Sequence, residues 1–287
     1  MKQSGKPLIA IVGAGNLAGA LAISLRGAGY RIDQIVSRAS AASLRSARRL
    51  AREVKAAAVA AARARIRAEV VWFCVPDSAI AGAAASLTGA ANWKGKVALH
   101  SSGALSSDEL AVLRRRGAAV ASVHPMMTFV RGSRPPSLVG VPFAIEGTPQ
   151  AVRAARAIVL QLRGRAFTIR KRQKEAYHAW GMFASPLLTA LLAASERVAG
   201  AAGVSRKAAR ERTLPILRQT LANYARLGAP GSLSGPIARG DVATVGRHLQ
   251  VLLEVPEVRE VYVALARAGL HDLPAKNRAG LQKILKA

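Results

Sequence analysis

The sequence predicts an α/β domain with a doubly wound parallel sheet over residues 1–170, followed by an all-helical domain over 171–287. Three observations predict it. Short apolar runs alternate with helical patterns through the first part of the chain. Those runs end in glycine, serine, proline or histidine, the residues of turns and ligand-bearing loops. Beyond Lys171 the strand character stops and long helical patterns take over.

The first element is an apolar run at residues 8–12 that enters Gly13-Ala14-Gly15-Asn16-Leu17-Ala18, with a helical pattern continuing through Leu21 and Leu25. This is a buried strand, a glycine turn and a helix. Gly13 permits the tight turn, and Gly15 has no side chain to hold a pyrophosphate away from the backbone. Asn16 and Leu17 open the helix, and Ala18 lets it pack closely on the strand. Free N–H groups and the positive dipole end then face the phosphates, so the GxGxxA string in this setting predicts a dinucleotide site.

A second strand at residues 32–36 ends in Ser37-Arg38. A site that prefers NAD places Asp or Glu there for the ribose hydroxyls, whereas one for NADP supplies hydroxyls and arginine for the 2′-phosphate. Ser37, Arg38 and Ser40 fit NADP, with NAD as the lesser alternative.

Residues 39–62 read as helix, with a third strand expected near 55–60. The strand at 70–75 ends at Val75 and Pro76, which places both beside the cofactor, and Asp77 or Ser78 is expected to cap the helix over 80–87. Strands at 97–99 and 118–123 run into His100-Ser101-Ser102-Gly103 and His124-Pro125. Two more, at 142–145 and 166–169, flank a helix over 150–163 and complete the sheet. Ligands of such sheets lie beyond the carboxyl ends of the strands, where Ser37, Pro76, Ser101 and His124 fall. Helices are then expected over 172–202, 205–227, 241–253, 256–269 and 275–286, with 228–240 as the one extended loop.

The 287 residues suffice for two domains, and a hydrophobic content of 51% excludes a disordered chain. The apolar run 183–194 is too short to span a bilayer and is closed by Glu196-Arg197, so a cytoplasmic protein without a membrane partner is expected. A single cysteine, Cys74, excludes an internal disulfide and lies in an apolar strand as a buried thiol. The net charge of +28 invites a nucleic-acid partner. Yet the arginines are spread along the chain on polar helix faces without interleaved aromatics, so no specific nucleic acid is expected.

Seven strings, VGAGNLAGALA, VSR, VPDSAI, LHSSGAL, SVHPMMTF, KEAYHAWGMFASP and GPIARGD, occur in this order over nearly the whole chain. Together they resemble a family of candidate oxidoreductases that pair a Rossmann-like domain with domain of unknown function 2520. More distantly the chain is similar to pyrroline-5-carboxylate reductase and to the 6-phosphogluconate and 3-hydroxyacid dehydrogenases. That resemblance implies an NAD(P) domain, a helical domain that helps build a small-molecule site, and a homodimer.

Within that frame, Ser101 and Ser102 are candidates for the nicotinamide amide or a substrate carboxylate, against an ordinary turn and a cap for the helix over 106–113. His124 competes between substrate contact and a structural role. Lys174 and His178 stand four apart on one helix face, and the resemblance to hydroxyacid dehydrogenases implies a general acid/base there. The alternative is a solvated lysine among Lys171 and Arg172 and a packed histidine. Arg239 is a candidate clamp for a substrate carboxylate or phosphate, with Asp241 capping the next helix. Pro186 departs from the family pattern, which shows asparagine nearby, and is expected to kink its helix. The expected activity is hydride transfer between NADP and a small anionic carbonyl or imine. A non-catalytic NADP sensor and a basic nucleic-acid-binding protein are the alternatives.

Overall fold

The computed structural model describes residues 5–286. The chain forms two compact units, one running to Met182 and the other from Phe183.

The first unit is built on eight strands: β1 (Ile9–Val12), β2 (Ile32–Ser37), β3 (Ala57–Ala60), β4 (Val70–Phe73), β5 (Val97–His100), β6 (Ala119–Pro125), β7 (Pro142–Gly147) and β8 (Arg165–Thr168). They lie in the order β3-β2-β1-β4-β5-β6-β7-β8. The first six are parallel, with Val12 beside both Val36 and Phe73. Strand order therefore reverses between β1 and β4, and a crevice opens above that point.

Helices α1 (Asn16–Gly27), α2 (Ala41–Val54), α3 (Ile80–Ser86), α4 (Ala111–Arg114) and α5 (Pro149–Gln161) accompany the strands. Because side chains alternate along a strand, β1 sends Ile9 and Ile11 to one core and Ala10 and Val12 to another. Helices α1, α2 and α5 cover the first face with Leu21, Leu50 and Ile158. Ile80 of α3 and Leu113 of α4 cover the second. Both faces are buried, which is why the strands read as unbroken apolar runs.

Two expectations for this unit need correction. The sheet is not wholly parallel, since β7 runs antiparallel to β6 with Val123 opposite Ile145. A parallel pairing needs a long crossover, usually a helix, and the connection between Pro125 and Pro142 carries no helix that could supply one. Neither Asp77 nor Ser78 caps α3. Residues Asp77–Ala79 form a 3-10 turn after Pro76, and Ala79 precedes α3 without a side-chain bond.

Beyond the sheet come α6 (Lys174–Ala184), α7 (Pro186–Ala201), α8 (Arg206–Ser232), α9 (Gly235–Arg239), α10 (Val242–Val251), α11 (Pro256–Asp272) and α12 (Arg278–Ile284). The first unit extends past the expected boundary at 170 because Lys174 and Tyr177 are buried in it. The helix expected over 172–202 is interrupted at Ser185, and Pro186 starts α7 instead of kinking a continuous helix. In a first turn the missing N–H of proline costs nothing. Residues 228–240 are mostly helical, with α8 continuing past non-helical Gly228 to Ser232 and α9 following. Within the second unit Val245, Leu249, Ala266, Leu270, Leu281 and Leu285 form a small core among α10, α11 and α12. Among the described residues, no single helix is long and apolar enough to cross a membrane.

Candidate functional site

A cleft of about 700 Å³ opens beyond the carboxyl ends of β1, β2 and β4. Gly13, Ala14 and Gly15 line one wall, Ser37 and Arg38 another, and Cys74, Val75 and Pro76 a third. Gly13 holds φ +110°, and a Cβ there would lie 2.2 Å from the carbonyl oxygen of Cys74. Only glycine lets the β1 and β4 turns approach this closely. Around Gly15, by contrast, a Cβ would meet open space, so the backbone there is bare toward the cleft. Gly15 precedes α1 without a side-chain cap, and the first turn of α1 carries no acid. Backbone donors and the dipole are left for an anion.

The remaining residues of the turn do other work. Ala18 is fully buried, and Leu17 packs against the same core. The Asn16 amide donates to the Phe129 carbonyl at 3.2 Å and so ties α1 to the connection after β6. At the far end of the cleft Ser37 is buried, and its hydroxyl donates to the Arg38 carbonyl. Ser40 does not line the cleft, because its hydroxyl caps α2 and bonds Ser43. Ser43 and Ser46 of α2 line it instead. They face inward one helical turn apart, a spacing that could have found them in the sequence. The residues present fit a dinucleotide: a bare turn, a helix end, and hydroxyls with a guanidinium.

A polar cluster adjoins β5 and β6. Ser101 accepts from the Trp72 indole at 2.9 Å. The Ser102 hydroxyl donates to Asp77 at 2.7 Å and accepts from the Leu105 N–H at 2.8 Å, so its one donor and one of its two acceptor sites are used inside the protein. The Ser102 N–H donates to Nδ1 of His100, which leaves His100 Nε2–H to donate to the Ser106 carbonyl. Burial lowers the pKa of His100 to about 4 and keeps it neutral. Behind it, the Glu146 carboxylate is buried and accepts from both the N–H and the hydroxyl of Ser107.

Lys174 enters this cluster from α6. It is only 1% exposed, not the solvated side chain of a basic surface group. Its ammonium donates to the Ser102 carbonyl at 3.0 Å and to the Ser122 hydroxyl at 2.6 Å. Burial lowers its pKa to about 8, against the opposing pull of Glu146 and Asp77. One turn along, the Tyr177 hydroxyl lies 2.9 Å from His124 Nδ1. Burial lowers His124 to about 4 and raises Tyr177 to about 12, so a single neutral hydrogen bond joins them. His178 and His124 both rest against Gly103, where a Cβ would fall 2.7 Å from His178 Cδ2 and 2.9 Å from His124 Nε2.

The first unit thus brings together Ser101, Ser102, His124, Lys174 and His178. Arg239 belongs to the second unit, where it is the exposed last residue of α9. Asp241 caps α10 by accepting from the Thr244 N–H, which also lowers its pKa. Ser122, Glu146 and Tyr177 have no role assigned from sequence, and Asp77 only that of a helix cap. Tyr177 had a signal, its i+3 spacing from Lys174, whereas Ser122 and Glu146 lie in strands where nothing local marks them. Cys74 is buried, and burial raises its thiol pKa well above the usual range, so it is inert. Among the described residues, no cluster of histidine, cysteine and carboxylate suits a metal ion.

Comparison with known proteins agrees with this architecture. Residues 2–125 match the Rossmann-like domain family, and residues 141–268 match DUF2520, a domain of unknown function. No curated protein matches significantly. A candidate NADP oxidoreductase from Bacteroides fragilis superposes with a TM-score of 0.77 at 24% identity, over 92% of this chain and 97% of that one. An imine reductase from a Pseudomonas species gives 0.63 at 20% identity, over 98% and 100%. A reductive aminase from Aspergillus terreus, in complex with NADPH and ethyl-5-oxohexanoate, gives 0.65 at 17% identity, over 93% and 95%. At these identities the likeness is one of fold.

Proposed function

We propose, for a chain that belongs to the proteins pairing a Rossmann-like domain with DUF2520, an NADP-dependent oxidoreductase acting on a small, anionic carbonyl or imine. The observation that carries this reading is the cleft, whose glycine turn and Ser37–Arg38 wall suit a phosphorylated dinucleotide. The names of its structural neighbours support it: an NADP oxidoreductase, an imine reductase and a reductive aminase bound to NADPH. Gly13 to Gly15 and the first backbone N–H groups of α1 would hold the pyrophosphate, Ser37 and Arg38 the 2′-phosphate, and Val75 and Pro76 the path toward the ring. When bound, the reduced nicotinamide supplies the hydride.

The proton falls to the chain's own residues. His178, partly exposed and seated against Gly103, is the reachable donor. Lys174 acts one layer deeper, as a positioning residue that pins the loop of Ser101 to Gly103 through the Ser102 carbonyl. Tyr177 holds His124 in one orientation, and His124 presents its other nitrogen beside Gly103. The protein acts as a homodimer, since Leu187, Leu188 and Leu191 of α7 and Leu214, Ile216, Leu221, Tyr224 and Leu227 of α8 are all exposed. A second copy of the same apolar face is the natural cover for so large a patch.

Fluorescence titration with NADPH, followed by an NADPH-oxidation screen over keto acids, aldehydes and imines, tests the reading. Tight binding with turnover of one class is expected. His178→Ala and Lys174→Ala should each cut turnover at least 10-fold with NADPH affinity nearly intact. For Lys174→Ala the alkaline limb of the pH profile near 8 should also move. The burial of Lys174 favours a second reading, an NADP-binding sensor without turnover, which tight binding and no oxidation of any class would select.

A further inference from the structure

The connection between β6 and β7 leaves Pro125 and returns at Pro142 without a helix. It is fastened at two points. Phe129 packs partly into the sheet core and accepts the Asn16 amide through its carbonyl. Leu138 is fully buried at the other end. Nearly all of residues 130–137 between them are exposed, and they carry Arg131 and Arg134 with no acid. The first fastening point matters because Asn16 is the first residue of α1. The loop therefore starts at the helix end that faces the cleft. Two residues of chain span at most about 7 Å, and an arginine side chain adds its own length, so Arg131 can reach the mouth of the glycine turn. That turn offers backbone donors but no cationic side chain, for Gly13 through Ala18 contains none.

We infer that the loop of residues 130–137 folds over the glycine turn and sets Arg131, supported by Arg134, against the pyrophosphate of the bound dinucleotide. The inference rests on the cofactor reading given above and adds to it a second cationic contact, separate from Arg38. The two contacts differ in what they recognise. Arg38 faces the 2′-phosphate, which only NADP carries, whereas Arg131 faces the pyrophosphate, which NAD and NADP share. The Asn16–Phe129 bond sets the register, because it fixes the carbonyl two residues before Arg131 to the start of α1.

The test is a titration of wild-type protein and of the Arg131→Ala/Arg134→Ala double variant with NADPH and with NADH. Loss of a charge-assisted phosphate contact should weaken both cofactors about 10-fold and leave their ratio unchanged. Arg38→Ala should change the ratio instead. A control variant, Arg115→Ala/Arg116→Ala, removes two exposed charges at the opposite end of β6 and should leave both affinities unchanged. Trypsin supplies a readout independent of affinity. It cuts after Arg131 and is blocked at Arg134 by Pro135, and saturating NADPH should slow the Arg131 cut at least several-fold. Unaltered affinities in the double variant, equal weakening in the control, or cleavage indifferent to NADPH would each overturn the loop assignment. Wild-type protein that binds neither cofactor would overturn the cofactor reading and the loop together.

Discussion

The two units of this chain solve the burial problem differently. In the α/β unit every residue of β1, β4 and β5 is buried, and helices cover both faces of the sheet. In the helical unit all sixteen residues of α7 are at least partly exposed, and only Ala209 of the long α8 is buried. A sheet covered on both faces completes its own core within one chain. Helices with apolar residues and no cover complete theirs only against something else. The α/β unit closes its own core, whereas α7 and α8 leave apolar side chains bare.

The strongest way to break that comparison is to charge the bare helix. Leu187→Asp with Leu191→Asp should weaken self-association at least 100-fold by sedimentation, with NADPH binding retained. Wild-type protein that sediments as a monomer at tens of micromolar would remove the contrast. Gly13→Val acts on the other side. A branched side chain placed 2.2 Å from the Cys74 carbonyl at φ +110° should cost upwards of about 3 kcal/mol and abolish measurable cofactor binding, while self-association persists.

Acid should separate the units next. His100 is fully buried and neutral, with a pKa lowered from 6.5 to about 4. Between those values the unfolded chain binds the proton and the folded chain does not, so stability present above pH 6.5 is lost as pH falls toward 4. The contribution of His100 is about 3 kcal/mol, and because His124 is lowered over the same window, urea titrations should show the loss in the α/β unit and only part of it removed in His100→Asn. The smallest expected effect is the most specific. Arg38→Ala should weaken NADPH about 10-fold and leave NADH nearly unchanged, and equal losses for both would remove the 2′-phosphate assignment.

Much of the fold was legible because its signals are local. The glycine turn, the apolar strands and the Asp241 cap each depend on residues within a few positions of one another. The reading failed where distant partners decide. Nothing in the string around Asp77 showed that its carboxylate would accept the Ser102 hydroxyl instead of capping α3. Pro186 starts a helix and does not kink one, a place that depends on where the chain turns at Ser185. The antiparallel return of β7 follows from a connection without a helix, against the alternation of strand and helix that marks the rest of the sheet.

By itself the sequence determined the order of elements, the GxGxxA turn and the serine and arginine that follow β2, because hydrophobic period and turn chemistry act over neighbouring residues. Only the tertiary structure decided what Lys174 is. Its sequence neighbours, Lys171, Arg172 and Glu175, describe a surface. The sheet instead brings Ser102 and Ser122, 72 and 52 positions away, to its ammonium. Burying a long cationic side chain is unfavourable unless its donors are met, and those partners exist only once β5, β6 and α6 have packed.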